Sequence, residues 1–211
     1  MLEEAGYDML DCDNGSYDAW YWPHPPVYMP KACNLEDVEK VKQWVNIPVI
    51  CGGRFDDPEL AEKEIAAGKI DMMGMGRPLL ADPDLANKFK EGREDDIRPC
   101  IKCLVGCTDN GIIGHHPIRC AVNPTVYKYY EDKYPQAKVV KNVAVIGAGP
   151  AGMEAALTLV KRGHKVTVYE KRKIGGTLHE ASSADYKKDI KLFINYYEKQ
   201  AQKYHLNIIQ E

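Results

Sequence analysis

The sequence predicts an α/β fold built on parallel strands, and three observations carry that expectation. Short apolar runs alternate with helix-period segments from residue 1 to about residue 92. The same rhythm returns from Lys141, and in that second region a G-x-G-x-x-G turn stands between a strand and a helix. Parallel neighbours need crossover connections, which a helix between successive apolar strands supplies. The two regions are separated by residues 93–138, which lack a convincing period and hold four of the seven cysteines.

Taken in order, Tyr7 to Asp13 reads as the first strand, and Gly15 to Pro30, rich in aromatics and proline, as a long loop. Asn34 is placed to cap a helix whose Leu35, Val38, Val41 and Val45 keep helical spacing. Ile47 to Cys51 is a second strand ended by Gly52-Gly53, and Asp57-Pro58 offers an N-cap and first-turn proline for a helix through Ala67. Ile70 to Met75 is a third strand, ended by Gly76-Arg77-Pro78, and Asp82-Pro83 starts a helix to about Lys90. Beyond the cysteines come a strand at Val143 to Ile146, a helix from about Pro150 to Arg162 and a strand at Lys165 to Glu170. Tyr196 and Tyr197 read as core, while Glu180, Asp185, Lys187 and Lys188 read as a solvated helical surface.

Composition narrows the function classes. The 211 residues carry 28 basic and 31 acidic side chains, a formal charge of −3, with neither a basic tail nor a Lys/Arg stripe. Nucleic acid and anionic membranes are therefore not expected as partners. No apolar run approaches the ~20 residues of a membrane span, and the start, Met1-Leu2-Glu3-Glu4-Ala5, lacks the basic and apolar regions of a signal peptide, so a cytoplasmic location is expected. Clustered cysteines in such a chain suggest a metal or cluster before disulfides. Cys12, Cys33 and Cys51, which stand apart, read as small buried hydrophobes.

Cys100, Cys103, Cys107 and Cys120 are spaced by two, three and twelve residues, with Pro99 before the first and Asn123-Pro124 after the last. Four thiolates are the usual ligand set of a [4Fe–4S] cluster. A structural zinc is the rival, although its ligands come more often as two matched C-x₂₋₄-C pairs, and Cys107 and Cys120 do not form one. His115 and His116 lie between two of the cysteines and are read as a solvent-facing pair.

The turn Gly147-Ala148-Gly149-Pro150-Ala151-Gly152 has the parts of a dinucleotide site. Gly147 permits the tight turn, Gly149 lets a pyrophosphate approach the backbone, and Gly152 lets helix and strand pack closely. Glu170 ends the next strand 18 positions beyond Gly152, where a carboxylate can bond the ribose hydroxyls of an adenosine. Lys171 follows at the same rim, and Gly176 in the Gly175-Gly176 pair lets a second backbone segment approach the same ligand.

With these residues in view, the chain resembles the large iron–sulfur flavoenzymes of the Old Yellow Enzyme superfamily, namely 2-enoate reductase, 2,4-dienoyl-CoA reductase and the bile-acid NADH:flavin oxidoreductases. The residues that carry the resemblance are the cysteine spacing followed by Cys120-Ala121-Val122-Asn123-Pro124, the run Gly74-Met75-Gly76-Arg77-Pro78-Leu79-Leu80-Ala81-Asp82-Pro83, and the Gly-rich turn that follows the cluster. The resemblance implies three parts: the last three βα units of a (β/α)₈ barrel on the FMN side over 1–92, a [4Fe–4S] linker over 93–138, and the N-terminal part of a Rossmann-like FAD/NAD(P)-binding unit over 139–211. A full barrel takes ~250 residues, so the chain is expected to be a piece of a longer enzyme, whether a truncated gene or a split subunit.

The implied activity is NAD(P)H-dependent reduction of the activated C=C bond of an enoate, enone or acyl-CoA, with electrons passing from FAD through the cluster to FMN. The alternatives are a non-catalytic electron-transfer or nucleotide-binding subunit, or an inactive fragment. The missing barrel portion or a second copy of the chain is the expected protein partner. Gly52, Gly53, Arg54, Gly76 and Arg77 fall at the ends of the second and third strands, where barrel enzymes commonly seat a phosphate. The rival role for the arginines is helix capping or pairing with Asp56 and Asp82. In dienoyl-CoA reductases a proton-handling His stands at the position held here by Tyr17. Tyr17 and His24 are therefore the two candidates for proton transfer, against the plainer reading of an aromatic cluster.

Overall fold

Asp57 and Pro58 show how local chemistry sets an element. The Asp57 carboxylate accepts from the Leu60 amide at 3.2 Å, Pro58 takes the first helical position, and helix α2 runs over Pro58–Ala66. This is the expected cap with its expected proline. The computed structural model describes residues 1–126 and 134–210. The chain divides into two compact units, Met1–Leu80 with Lys102–Ile118, and Ala81–Ile101 with Arg119–Glu211. The segment 93–138 expected to be a linker is thus shared between the two units.

In the first unit, strands β1 (Leu10–Cys12), β2 (Val49–Cys51) and β3 (Met72–Met73) form a parallel sheet in that order, with Cys12 beside Cys51 and Ile50 beside Met72. Helices α1 (Leu35–Trp44) and α2 complete the crossovers. Val38, Val49, Cys51, Phe55 and Ile70 form the core. The outer strands are shorter than expected. At the start of β3 the Asp71 carboxylate takes the Val49 amide at 2.7 Å, a side chain standing where ladder carbonyls would serve.

Three local expectations are corrected here. Asn34 does not cap α1 through its side chain. It is fully buried, and its Nδ2 donates to Asp13 Oδ1 at 2.8 Å, because a buried amide bonds a carboxylate more strongly than it would cap a solvated helix end. Cys51 is buried as expected, and burial pushes its thiol up to about 12, but Cys12 and Cys33 are only half-buried. Arg77 and Pro78, expected with Gly76 in a strand-ending turn, begin a short helix, α3 (Arg77–Ala81).

Helix α4 (Leu85–Lys90) begins after the expected Asp82-Pro83 start. The buried Asp82 accepts from the amides of Asp84 and Arg98 and from Lys88 Nζ, and so organises the turn before the helix. Residues Val105–Ile113, for which no period was found, form a wide π-type helix. The Asp109 amide reaches back to the Leu104 carbonyl at 2.9 Å and the Gly114 amide to that of Asp109 at 2.8 Å. Hydrogen bonds that skip five residues leave no 3.6-residue signature to read.

In the second unit, β4 (Asn142–Ile146), β5 (Lys165–Glu170) and β6 (Asn207–Gln210) are parallel with β5 in the middle, the order of one half of a doubly wound sheet. Helices α5 (Pro150–Lys161), α6 (Leu178–Ala181) and α7 (Lys188–Lys203) join them. Met153, Leu157, Val168, Phe193 and Tyr197 are buried together, and Tyr196 with them, as expected of the tyrosine pair. Strand β6 was not expected; its four residues show no alternation of their own and become a strand by pairing Ile208 with Val168 and Ile209 with Tyr169. Among the described residues no helix is long and apolar enough to cross a membrane.

Candidate functional sites

The Gly-rich turn leaves β4 at Ile146 and enters α5 at Pro150. Gly147, at φ +92°, donates its amide to the Tyr169 carbonyl at 2.7 Å, closing the turn onto β5. A Cβ on Gly152 would overlap the Gly147 carbonyl oxygen, whereas one on Gly149 would meet nothing within 4 Å. Gly152 is thus required for close packing of helix on strand, and the space beside Gly149 is open. Ala148 is fully buried and accepts from the Gly175 amide at 2.8 Å. A Cβ on Gly176 would come within 3.1 Å of Gly149 Cα, so the second glycine pair does lie against the turn.

Glu170 closes this site. One carboxylate oxygen accepts from the Ala148 amide at 2.6 Å and the other from the Arg172 amide at 2.7 Å, and these bonds hold its carboxyl below the usual range. Ala151 occupies the first turn of α5, and Lys171 is exposed beside Glu170. The amides at the start of α5 and its dipole favour an anion there, and the residues fit an ADP-bearing cofactor.

In the first unit, Gly52 follows β2 directly, Gly53 at φ +87° and Arg54 at φ +51° come next, and Gly76 and Arg77 follow β3. The two arginines converge on one stretch of loop. Arg54, nearly buried, donates to the carbonyls of Val27 and Met29, and Arg77 donates to that of Pro25 at 2.9 Å. Beside Gly52 and Gly76 the space where a Cβ would stand is open. The carboxylates named as rival partners have cations of their own, Lys102 for Asp56 and Lys88 for Asp82.

That loop carries both proton-transfer candidates. Tyr17, Trp20 and His24, with Gly15, Ser16 and Pro23, line one pocket of about 250 Å³. The Trp20 ring stands between the other two, 5.7 Å from Tyr17 and 4.8 Å from His24. Tyr17 is largely exposed. His24 Nδ1 is buried without a hydrogen-bond partner, and burial together with the Arg77 charge pushes the imidazole below its ordinary value, so His24 is neutral at neutral pH.

The cysteines divide between the units. Cys100 and Cys120 are half-buried against the core of the second unit, while Cys103, exposed, and Cys107, half-buried, belong to the first. None is in a disulfide, and His115 and His116 are exposed. Among the described residues no group of three or more His, Cys, Asp or Glu side chains is gathered as a metal site. The donor chemistry of the four thiols fits an iron–sulfur cluster, and of these Cys100 and Cys120 pack against one core.

Three charged residues around the cysteines, Arg98, Glu154 and Lys102, escaped the sequence reading. Arg98, 7% exposed, donates to both oxygens of Glu154 at 2.9 and 3.3 Å and to the Val122 carbonyl, and its guanidinium lies 5.0 Å from the Tyr196 ring centre. Lys102, 5% exposed, pairs with Asp56. The one available signal was Glu154, a carboxylate inside the apolar run Met153 to Leu157, which needs a cation if that helix is buried.

Comparison with known proteins finds family matches in two regions of the chain. Residues 1–96 match the NADH:flavin oxidoreductase / NADH oxidase family and residues 141–207 the pyridine nucleotide-disulphide oxidoreductases. The chain thus joins a region similar to the flavin oxidoreductases to a region similar to the pyridine nucleotide-disulphide oxidoreductases. More particularly, the match to the first 96 residues covers just under half of the chain, and the chain as a whole resembles a fragment of a flavoenzyme of the Old Yellow Enzyme type. It is 43% identical over 199 residues to cinnamate reductase of Clostridium sporogenes, covering 94% of this chain and 30% of that protein. With NADH oxidase of Thermoanaerobacter brockii it shares 43% identity over 202 residues, 94% of this chain and 31% of that one. The solved structure of 2-naphthoyl-CoA reductase in complex with 2-naphthoyl-CoA superposes with a TM-score of 0.91 at 32% identity, over 99% of this chain and 32% of that one. The chain spans about a third of the length of the relatives it matches.

Proposed function

We propose that the chain is the central part of an NAD(P)H-dependent ene-reductase acting on the activated C=C bond of an enoate, an enone or an acyl-CoA. The observation that carries this reading is the closed nucleotide turn, in which Glu170 clasps Ala148 while Gly149 stays open, in one chain with a flavin-oxidoreductase region. The similarity to cinnamate reductase favours an aromatic enoate as substrate, and the aromatic lining of the Tyr17–Trp20–His24 pocket agrees with a flat, apolar one.

FAD, a [4Fe–4S] cluster held by Cys100, Cys103, Cys107 and Cys120 on the strength of their spacing, and FMN would carry electrons in that order from NAD(P)H to the alkene. The chain's own residues bind and orient. The amides at the start of α5 would hold the pyrophosphate, and Glu170, whose oxygens retain lone pairs beyond the two amide bonds, would accept from the ribose hydroxyls. Gly52, Gly53 and Gly76 would offer backbone amides to the FMN phosphate, while Arg54 and Arg77 hold the 25–29 backbone in place. Reduction of the alkene leaves a carbanionic carbon that needs a proton, and Tyr17 or His24 would deliver it.

Protein prepared without oxygen should be brown and hold about four iron atoms per chain, and Cys103→Ser should bleach it. One zinc and no iron in such material would end the electron-relay reading. With the flanking parts of the enzyme restored, NADH oxidation should become dependent on an aromatic enoate; a preparation that consumes NADH equally with and without every alkene offered would remove the ene-reductase assignment.

A further inference from the structure

Arg98 stands two residues before Cys100, and the carbonyl it grips belongs to Val122, two residues after Cys120. Its other donors hold both oxygens of Glu154, one turn into the helix that starts at the nucleotide turn. Cys100 and Cys120, twenty positions apart in sequence, meanwhile pack against the same core. We infer that Arg98 is a positioning residue: a clasp that holds the first and last cysteines of the set at a fixed separation and locks both to helix α5. The inference concerns the cluster proposed above and goes beyond it, since it assigns the geometry of two of the four thiols to a residue outside the ligand set.

The physical argument rests on the guanidinium's shape. A planar fork with five donors can serve two partners in fixed directions, which an ammonium on a flexible stem does less well. Both segments it joins are otherwise irregular: residues 97–104 contain no regular element and 119–124 none either. Among the described residues no β-ladder joins the two segments, so the Arg98 bonds, together with packing on the shared core, hold them at their distance. Arg98 is nearly buried, its amide is held by Asp82, and its ring-facing side lies on Tyr196, so the side chain has little freedom to move its two carbonyl-side and carboxylate-side contacts independently. Because Glu154 sits on α5, a shift of the first turn of that helix on nucleotide binding would be felt at the cysteines through one rigid group.

The test reads the thiols directly. In metal-free, reduced protein carrying Cys103→Ser and Cys107→Ser, a bifunctional thiol reagent of short span such as dibromobimane should bridge Cys100 to Cys120, identified by peptide mass mapping. Arg98→Gln should lower the bridging rate roughly tenfold, the weight of one charge-assisted hydrogen bond, and Arg98→Lys should recover part of it. Since a buried carboxylate left without its cation can unfold the unit, the double variant Arg98→Met/Glu154→Met, which removes both charges at similar volume, keeps the measurement usable. It should retain ADP binding and still lose the bridging. Bridging unchanged in either variant would overturn the inference. In the otherwise unsubstituted protein, Arg98→Gln should also change the electron paramagnetic resonance line shape of the reduced cluster or lower its iron content. If the unsubstituted protein holds no iron, the cluster reading fails while the bridging result still decides the role of Arg98.

Discussion

The Glu170 carboxylate accepts a hydrogen bond from the Ala148 amide at 2.6 Å, so the end of β5 and the turn leaving β4 are closed on each other by a side chain. Together with the bond from the Arg172 amide this favours the charged form and holds the carboxyl below its usual range. A lowered folded value means that this stabilisation is present at pH values above the unfolded value of about 4.3 and is lost as pH falls through the folded one. Denaturant unfolding from pH 6 down to pH 3 should therefore show a steeper acid loss in the unsubstituted chain than in Glu170→Gln. Parallel curves would show that the clasp carries no charge-dependent stability.

The same carboxylate sets ligand choice. Titration with ADP and with 2′-phospho-ADP should show preference for ADP, because a carboxylate at the ribose repels a 2′-phosphate, and Glu170→Ala should narrow the gap. Equal affinities in the unsubstituted chain would remove Glu170 from the site.

Gly149 and Gly152 should separate binding from stability. Gly152→Ala drives a Cβ into the Gly147 carbonyl and should lower stability by about 1–3 kcal/mol, the usual range for overpacking, seen as a lower melting temperature. Gly149→Val meets open space and should leave melting near the original while abolishing measurable ADP binding by calorimetry.

His24 has its proton affinity lowered by burial first and by Arg77 second. The unfolded chain then binds the proton more tightly than the folded one, so stability is full above the unfolded value of about 6.5 and declines as pH falls from there toward the folded value. A proton NMR titration should place the His24 midpoint below the ordinary histidine value of about 6.5, and Arg77→Gln should raise it. A midpoint at or above that value would contradict the lowered proton affinity of this imidazole.

Asp56 and Lys102 form a nearly buried ion pair within the first unit. Asp56→Ala should destabilise that unit by about 3 kcal/mol, since it leaves a cation in a poorly solvated place. Asp56→Ala/Lys102→Met should recover most of that loss, which denaturant midpoints for the two variants would measure.

Legibility in the sequence followed the range of the interaction. The Lys165–Glu170 strand, the Asp57-Pro58 helix start, the buried tyrosine pair and the glycine turn were all readable, because alternation, capping and close packing are written within a few neighbouring residues. What tertiary structure decided were the partners. Asn34 turned from a helix cap to a ligand of Asp13, Asp82 from a cap to the organiser of a turn, and β6 became a strand only beside β5. Arg54 and Arg77 came to hold the 25–29 backbone, and Arg98 to join Val122 and Glu154 across 24 and 56 positions. A buried polar group takes whichever partner the fold brings within reach, because leaving it unbonded costs more than any local preference returns. That choice depends on distance in space, which periodicity and spacing along the chain do not encode.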